Sequence, residues 1–221
     1  MVTRKELCIF MELMMKFIEA IGIISFAISG ATMGIKKKAD PFGAVVLAVV
    51  TATGGGITRD IFLGRLPPAS FLDTGYISTA ALTGVGVFFV AKNNKHCYEK
   101  NLAILDTVNN VFDALGLGVF TAMGTYLAIT CGFSRNTFFA IFIGVLTGIG
   151  GGFIRDIMLR EIPFVLQKHF YALASIAGAF IFYSLYMLHI PETPSLLVSA
   201  SVTFVLRMLA THYKWNIPPA I

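Results

Sequence analysis

The chain has 221 residues, of which 56% are hydrophobic and only 13% are charged, and its mean hydropathy is +0.78. A soluble domain is about 45–50% apolar and about 25% charged, so this composition excludes a water-soluble globular protein and predicts an integral membrane protein. The formal charge of +5 does not indicate a nucleic-acid partner, because the basic residues fall mostly in short loops between apolar runs, where they set membrane orientation.

Seven apolar segments follow one another along the chain, each close to the roughly 20 residues that a transmembrane helix needs. Charged or proline-containing breaks separate them, beginning with the cluster Lys36–Lys38 and the pair Pro67-Pro68, as expected of loops. We interpret the first segment as a retained span rather than a secretory signal, because charged residues interrupt it and no small-x-small cleavage site follows closely. The predicted spans cover approximately residues 13–35, 42–64, 75–92, 104–129, 137–160, 169–190 and 194–212.

The distribution of lysine and arginine predicts the orientation of the chain. Counted on alternate sides of the seven spans, these residues number eleven against six, and the richer side of a membrane protein faces the cytoplasm. The sequence therefore predicts a multi-pass protein of a bacterial or archaeal inner (plasma) membrane, with its N-terminus outside and its C-terminus in the cytoplasm. We interpret the cluster Lys36–Lys38 as an orientation signal, with binding of anionic membrane lipid as the alternative.

One seven-residue stretch occurs twice, ninety-six residues apart: Gly54-Gly55-Gly56-Ile57-Thr58-Arg59-Asp60 and Gly150-Gly151-Gly152-Phe153-Ile154-Arg155-Asp156. Matches at nearly the same offset, such as Phe26 with Phe120, extend the repeat to three spans on each side, over residues 13–92 and 104–190. Because three is an odd number, the second copy must cross the membrane in the opposite direction. The predicted fold is an all-α polytopic membrane protein, with seven transmembrane helices arranged as an inverted 3+3 repeat plus a seventh helix at 194–212.

Three consecutive glycines lie in the middle of a span in each repeat, as Gly54, Gly55 and Gly56 and as Gly150, Gly151 and Gly152. Close packing is one explanation, since small residues let membrane helices approach each other. The alternative is a helix broken at glycine, because interrupted helices at matching positions of inverted repeats mark ion or substrate sites near the midplane. We predict that helices 2 and 5 are broken here and that potassium or sodium passes near the glycines, without a tightly bound metal. Leucine at Gly55 or Gly151 would then straighten a span and reduce flux.

An arginine and an aspartate follow each glycine triplet, Arg59 with Asp60 and Arg155 with Asp156. The arginine side chains could anchor in the lipid headgroups by snorkelling, or they could pair inside the bundle. Adjacent residues on a helix point about 100° apart, so the arginine and aspartate of one copy are not expected to pair with each other.

Other spans offer partners for these arginines. On the fourth span Asp106, Asn109, Asn110 and Asp113 form one polar stripe, and Glu12, Lys16 and Glu19 take the matching places on the first. Such a stripe on a membrane helix faces the bundle or a water-filled cavity, although the starts of these helices could also lie outside the membrane. We hypothesise that Glu19 pairs with Arg59 and that Asp113 pairs with Arg155, each holding a glycine-containing helix against its neighbour.

The candidate interior charges are acidic on balance. Four carboxylates, Glu19, Asp60, Asp113 and Asp156, stand against two arginines, and an acidic lining favours cations in a pore. No hydrolase, metalloprotease or zinc-site motif occurs, so the sequence predicts neither an enzyme nor a cofactor. Cys8, Cys97 and Cys131 lack paired spacing and are expected to be free.

The doubled Gly-Gly-Gly-x-x-Arg-Asp motif, in a seven-span chain of this size, resembles the prokaryotic trimeric intracellular cation (TRIC) channels. The same motif marks a wider bacterial group that includes putative glycine transporters. The resemblance implies a homotrimer in which each protomer holds its own pore, lined by kinked second and fifth helices and permeated by potassium and sodium. Carried over to this sequence, the kinks would lie at Gly54–Gly56 and Gly150–Gly152, beside Arg59, Asp60, Arg155 and Asp156.

Two functions remain open from the sequence. The first is a monovalent-cation channel, whose partners are potassium, sodium and membrane lipid. The second is a secondary transporter for a small solute such as glycine, since inverted repeats suit a transporter equally well. Single-channel currents would favour the first, and saturable, substrate-specific flux would favour the second.

Overall fold

The computed structural model describes residues 4–94, 102–167 and 169–215, with the side chains of residues 13–94, 103–167 and 170–215. Cys97 and the side chains of Cys8 and Glu12 therefore lie outside the described residues. Within those ranges the chain is helical and contains no strand. The helices are α1 (Arg4–Lys36), α2 (Pro41–Phe62), α3 (Ala69–Leu72), α4 (Thr74–Asn93), α5 (Leu102–Ala128), α6 (Thr137–Met158), α7 (Phe164–Gln167), α8 (His169–Met187) and α9 (Glu192–His212).

Seven of these helices, α1, α2, α4, α5, α6, α8 and α9, are long and apolar enough to cross a membrane. The predicted all-helical class and the seven spans are thereby confirmed. The short helices α3 and α7 were not predicted, and they occupy equivalent places after the glycine-containing helices α2 and α6. We call the end of the bundle at which α1 ends and α2 begins the inner end, and the opposite end the outer end.

Contacts between equivalent residues show that the two repeats are inverted. Phe26 of α1 stacks on its own repeat equivalent, Phe120 of α5, with ring centroids 5.3 Å apart. Gly22 faces Phe120, while Gly116 faces Phe26. As residue numbers rise along α1, the numbers of the residues they contact on α5 fall. The two helices are therefore antiparallel, as an inverted repeat requires.

The starts of the glycine-containing helices are also equivalent. Asp40 caps α2, where its Oδ1 accepts a hydrogen bond from the Gly43 N–H at 2.7 Å, and Pro41 occupies the first turn. Asn136, ninety-six residues later, caps α6 by accepting from the Phe139 N–H at 3.1 Å. Side-chain oxygens at this position satisfy N–H groups that the helix itself leaves free. Different residues thus perform the same capping role in the two repeats.

The predicted breaks in helices 2 and 5 are not present. One α-helix runs through Gly54–Gly56 in α2, and another runs through Gly150–Gly152 in α6. A break would leave backbone groups without partners in a medium that lacks water. The glycines instead bring two helix backbones into contact. A Cβ on Gly55 would lie 2.1 Å from the Thr147 carbonyl oxygen, and one on Gly151 would lie 2.0 Å from the Thr51 carbonyl oxygen.

The seventh span, α9, has no counterpart in the repeat. It packs against α5, where Gly118 faces the Ala200 carbonyl, and against α8, where the Ser199 hydroxyl donates to the Gly178 carbonyl at 2.7 Å. This helix therefore covers the second repeat, and the described ranges contain no equivalent neighbour for the first repeat.

Candidate functional site

The arginine of the second motif is the centre of a buried polar network. Arg155 has no exposed surface, and its Nη1 donates to Asp113 Oδ1 at 2.8 Å and to the Ser29 hydroxyl at 2.5 Å. Asn109 Oδ1 lies 3.5 Å from the same nitrogen and accepts from the Ser29 hydroxyl at 2.6 Å. The structure thus contains the ion pair between Asp113 and Arg155, and it adds Ser29 from the other repeat.

Each motif aspartate bonds to the arginine beside it. Arg155 Nε donates to Asp156 Oδ1 at 2.9 Å, and Arg59 Nε donates to Asp60 Oδ1 at 2.9 Å. The expectation that neighbours on a helix would not pair was wrong. The long arginine side chain turns around the helix so that Nε, rather than the terminal nitrogens, meets the carboxylate. The terminal nitrogens then remain available to other helices.

The second carboxylate oxygen of each aspartate organises the loop that follows. Asp156 Oδ2 accepts from the Phe164 N–H at 3.0 Å, and Asp60 Oδ2 accepts from the Ala69 N–H at 2.9 Å. These N–H groups begin the short helices α7 and α3. Arginine and aspartate therefore act as one connector in each repeat, joining the end of a span to its loop.

The first motif has different surroundings. Glu19 does not form the hypothesised ion pair with Arg59; its Oε2 accepts from the Tyr76 hydroxyl at 2.9 Å. Arg59 is nearly buried, at 5% exposure, and its ion pair in the described part of the chain is with Asp60. We refer to Glu19, Arg59, Asp60 and Tyr76 as the outer cluster, and to Asp113, Arg155, Asp156 and Tyr171 as the inner cluster.

Two tyrosines that were not predicted from the sequence belong to these clusters. Tyr171 is 2% exposed, and its hydroxyl lies beside the Asp113 carboxylate and within 3.1 Å of a Cβ placed on Gly152. Tyr76 takes the same place beside Glu19 in the first repeat. The two tyrosines are ninety-five residues apart, a separation that lies within the offset of the repeat. This separation was the sequence signal that could have identified them as equivalent residues. Each tyrosine supplies a hydroxyl beside a carboxylate, which is buried in Asp113 and partly buried in Glu19.

A cavity of about 400 Å³ opens at the inner end, between the end of α1, the start of α5 and the loop after α6. It reaches Asp156 of the inner cluster. Two ion pairs join its walls, one between Lys36 and Asp106 and one between Lys37 and Glu161. The Lys37 ammonium hydrogen-bonds to Glu161 and lowers the pKa of that carboxyl group. Its charged and polar lining consists of Lys36, Lys37, Asp106, Asn110, Asp156, Glu161 and Gln167.

The predicted polar stripe on the fourth span faces the protein interior. Asp106 and Asn110 line the inner cavity, while Asn109 and Asp113 reach Arg155. The predicted glycines lie deeper, where α2 crosses α6. At this crossing the Thr51 and Thr147 hydroxyls donate to carbonyls of their own helices, both at 2.6 Å. In the described part of the chain, no three His, Cys, Asp or Glu side chains come together as a metal site would require.

Comparison with known sequences assigns the family. The sequence model of a family described as Glycine transporter matches residues 16–92 and again residues 110–187. A UPF0126 membrane protein of Vibrio cholerae is 34% identical over 201 residues, covering 91% of this chain and 80% of that protein. The UPF0126 inner membrane protein YadS of Escherichia coli is 32% identical over 203 residues, covering 91% and 94%.

Solved structures have the same fold. A prokaryotic TRIC channel determined in 0.5 M KCl superposes with a TM-score of 0.81 at 34% identity, covering 93% of this chain and all of that one. The TRIC trimeric intracellular cation channel orthologue from Rhodobacter sphaeroides gives a TM-score of 0.80 at 28% identity, covering 91% and 98%. The chain is a multi-pass membrane protein with the TRIC fold, and it belongs to the family described as Glycine transporter, within the wider group that includes the prokaryotic TRIC channels.

Proposed function

We propose that this protein is a channel for monovalent cations, potassium and sodium, with one pathway in each protomer of a homotrimer. The pathway runs between the repeats 13–92 and 104–190, flanked by the helix at 194–212. It enters the inner cavity, passes the inner cluster and the crossing of α2 with α6, and leaves past the outer cluster. The similar TRIC structures support both the cation and the trimer.

The inner cavity is the main observation that supports this proposal. Three carboxylates and two lysines line it. Arg155, which pairs with the third carboxylate, is buried behind the wall, so the surface that a cation meets is acidic and favours cations. Asp156 connects the cavity wall to buried Arg155 and so to the helix that carries Gly150–Gly152. The cavity is therefore an aqueous entrance of suitable charge that leads towards the repeated motif.

The α2–α6 crossing closes this pathway in the present conformation. A Cβ placed on Gly55 lies 3.3 Å from the Gly151 backbone nitrogen, and one placed on Gly150 lies 3.0 Å from the Gly55 Cα, so no ion fits between the helices. A channel opens by separating α2 from α6, and the glycines favour such movement because backbone meets backbone at Gly55, Gly150 and Gly151. The motif glycines are then the gate region, and Arg59, Asp60, Arg155, Asp156, Glu19 and Asp113 support it from both ends.

A small-solute transporter is the second candidate, and the same crossing favours it. A pathway that is closed at the midplane and entered from one end is what alternating access requires of one of its states. The family description as Glycine transporter points to the same class of function. The two candidates differ in whether both ends are ever open together.

Planar-bilayer recording of the purified protein separates these functions. We expect unitary currents whose reversal potential follows an imposed potassium or sodium gradient and is unaffected by glycine. Saturable glycine uptake into proteoliposomes without unitary current would reject the channel and establish the transporter. Asp106→Asn should reduce the cation current, because it removes one of the three cavity carboxylates. Glu192→Gln, which neutralises an acid outside this cavity, is the matched control.

We also propose that the N-terminus lies outside and the C-terminus in the cytoplasm. Arg59, Arg155 and Arg207 are buried in the bundle, so they are not loop charges as the sequence count assumed. Without them the basic residues number nine on the inner side against five on the outer side, which still favours a cytoplasmic inner end. Labelling of a cysteine introduced in the 37–40 loop with a membrane-impermeant thiol reagent tests this: intact cells should protect it.

A further inference from the structure

The seventh span carries a buried charge that the repeated motif does not explain. Arg207 of α9 is 2% exposed, and in the described part of the chain it forms no ion pair. Its Nη1 donates to the Thr211 hydroxyl at 2.7 Å, whereas its Nε and Nη2 have no hydrogen-bond partner. A buried guanidinium without a carboxylate is costly in a membrane, so its position calls for a functional explanation.

Tyr171 connects Arg207 to the inner cluster. The guanidinium carbon of Arg207 lies 5.0 Å from the centre of the Tyr171 ring, a distance at which a cation is attracted to an aromatic face. At its other end the Tyr171 hydroxyl lies beside the Asp113 carboxylate. One aromatic ring therefore separates Arg207 from Asp113, and the field of Arg207 acts on the inner cluster through a poorly polarisable medium.

Arg207 makes the two clusters electrically unequal. The outer cluster has the formal charge of Glu19, Asp60 and Arg59, which is minus one. The inner cluster alone has the same charge, from Asp113, Asp156 and Arg155. Arg207 brings the inner cluster to zero, and among the described residues no helix equivalent to α9 lies beside the first repeat.

We propose that Arg207 determines the rectification of cation current through this protein. This inference rests on the channel function proposed above. A cation at the outer cluster meets an excess negative charge, whereas a cation at the inner cluster meets a balanced set. Charges in a low-dielectric pathway change local ion concentrations strongly, so current should pass more readily in one direction than in the other. The inverted repeat alone gives its two clusters the same formal charge, and the extra helix removes that equality.

Single-channel recording in symmetric KCl tests the inference through the ratio of currents at equal voltages of opposite sign. We expect the wild-type protein to rectify and Arg207→Gln to change that ratio by about three- to tenfold, towards one. Arg207→Lys keeps the charge and should keep the wild-type ratio. If Arg207→Lys changed the ratio as much as Arg207→Gln, the residue would act by packing, and the inference would be wrong.

A second variant removes the charge effect without removing the guanidinium, in case Arg207→Gln does not fold. Thr211→Asp places a carboxylate where the Thr211 hydroxyl now accepts from Arg207, and it should reproduce the loss of rectification. Thr211→Asn is the matched uncharged control and should behave as the wild-type protein. Currents whose ratio is the same in wild type, Arg207→Gln and Thr211→Asp would overturn this inference alone. The absence of any wild-type current would instead overturn the channel function on which it rests.

Discussion

The inner and outer clusters begin from nearly the same seven residues and end in different structures. In the inner cluster Arg155 bonds to Asp156, to Asp113 and to Ser29. In the outer cluster Arg59 bonds to Asp60, and Glu19 of the first span accepts a hydrogen bond from Tyr76 rather than from Arg59. The arginine–aspartate connector is common to both ends, whereas the cross-helix network is present at one end.

Two positions outside the motif account for this difference. The repeat equivalents of Asn109 and Ser29 are Met15 and Met123, which pack into an apolar cluster. Arg59 therefore lacks the polar neighbours that hold Arg155 in place. The repeated motif is therefore sufficient for the arginine–aspartate connector. Whether the arginine also bonds to side chains of other helices depends on the residues that face it.

The inner arginine should be the more sensitive of the two. Arg155→Met leaves Asp113 and Asp156 buried without their shared partner, and breaking a buried ion pair in this way costs about 3–5 kcal/mol. Arg59→Met removes the partner of one carboxylate, Asp60, rather than of two, and should cost clearly less. Denaturant unfolding of both purified variants in detergent measures the difference. Equal losses of stability would show that the cross-helix network adds nothing to the connector.

At the crossing of α2 with α6 the two repeats should instead respond alike. Gly55→Ala and Gly151→Ala each force a Cβ against a carbonyl oxygen, at 2.1 and 2.0 Å, and such overpacking costs about 1–3 kcal/mol. Gly86→Ala is the matched control, because a Cβ there meets no atom within 4 Å. The same unfolding assay checks all three variants. If one crossing glycine tolerated alanine as well as Gly86 does, the crossing would not be symmetric.

This clash also replaces the sequence-based expectation for leucine at Gly55 or Gly151. The larger side chain would push α2 away from α6 rather than straighten a helix that is already continuous. Reduced flux would then report a displaced crossing, and it would be accompanied by a loss of stability.

The span pattern and the inverted repeat could be predicted from the sequence because each rests on a local signal. Apolar length identifies a span, and the odd number of spans in each repeat determines the inversion. The Asp113–Arg155 pair could also be predicted from the sequence, because depth in the membrane follows from position along a helix.

The errors came from contacts that depend on side-chain rotamers and helix crossings. The bond between Arg155 and Asp156 requires a particular turn of the arginine side chain, which spacing along the helix does not determine. Continuity of α2 through Gly54–Gly56 depends on the partner backbone that the glycines meet, which lies ninety-six residues away. Arg207 was counted as a loop charge because its burial depends on how α9 packs against α5 and α8.

Transplanting the inner network to the outer end would sharpen the comparison. Met15→Asn combined with Met123→Ser places at the outer end the two residue types that surround Arg155. Interhelical hydrogen bonds in membrane proteins contribute about 0.6 kcal/mol each on average, so the double variant should lose less stability than the two single variants together. A double-mutant cycle measured by unfolding tests this coupling. An additive outcome would mean that the surrounding residues do not build the network.

The smallest effect is expected at the inner cavity, where Lys37 pairs with Glu161 across the two repeats and both side chains are about two-fifths exposed. Because Lys37 lowers the pKa of Glu161, the pair stabilises the fold at pH values above the ordinary glutamate pKa. That contribution is lost as the pH falls through the lowered value. The other charged groups that face the cavity, Lys36, Asp106 and Asp156, remain in every variant. A double-mutant cycle with Lys37→Gln and Glu161→Gln should show a small coupling at neutral pH and low salt that vanishes in acid and in high salt. A coupling that persisted in high salt would indicate an ordered contact between the repeats that salt does not screen, rather than a solvated surface pair.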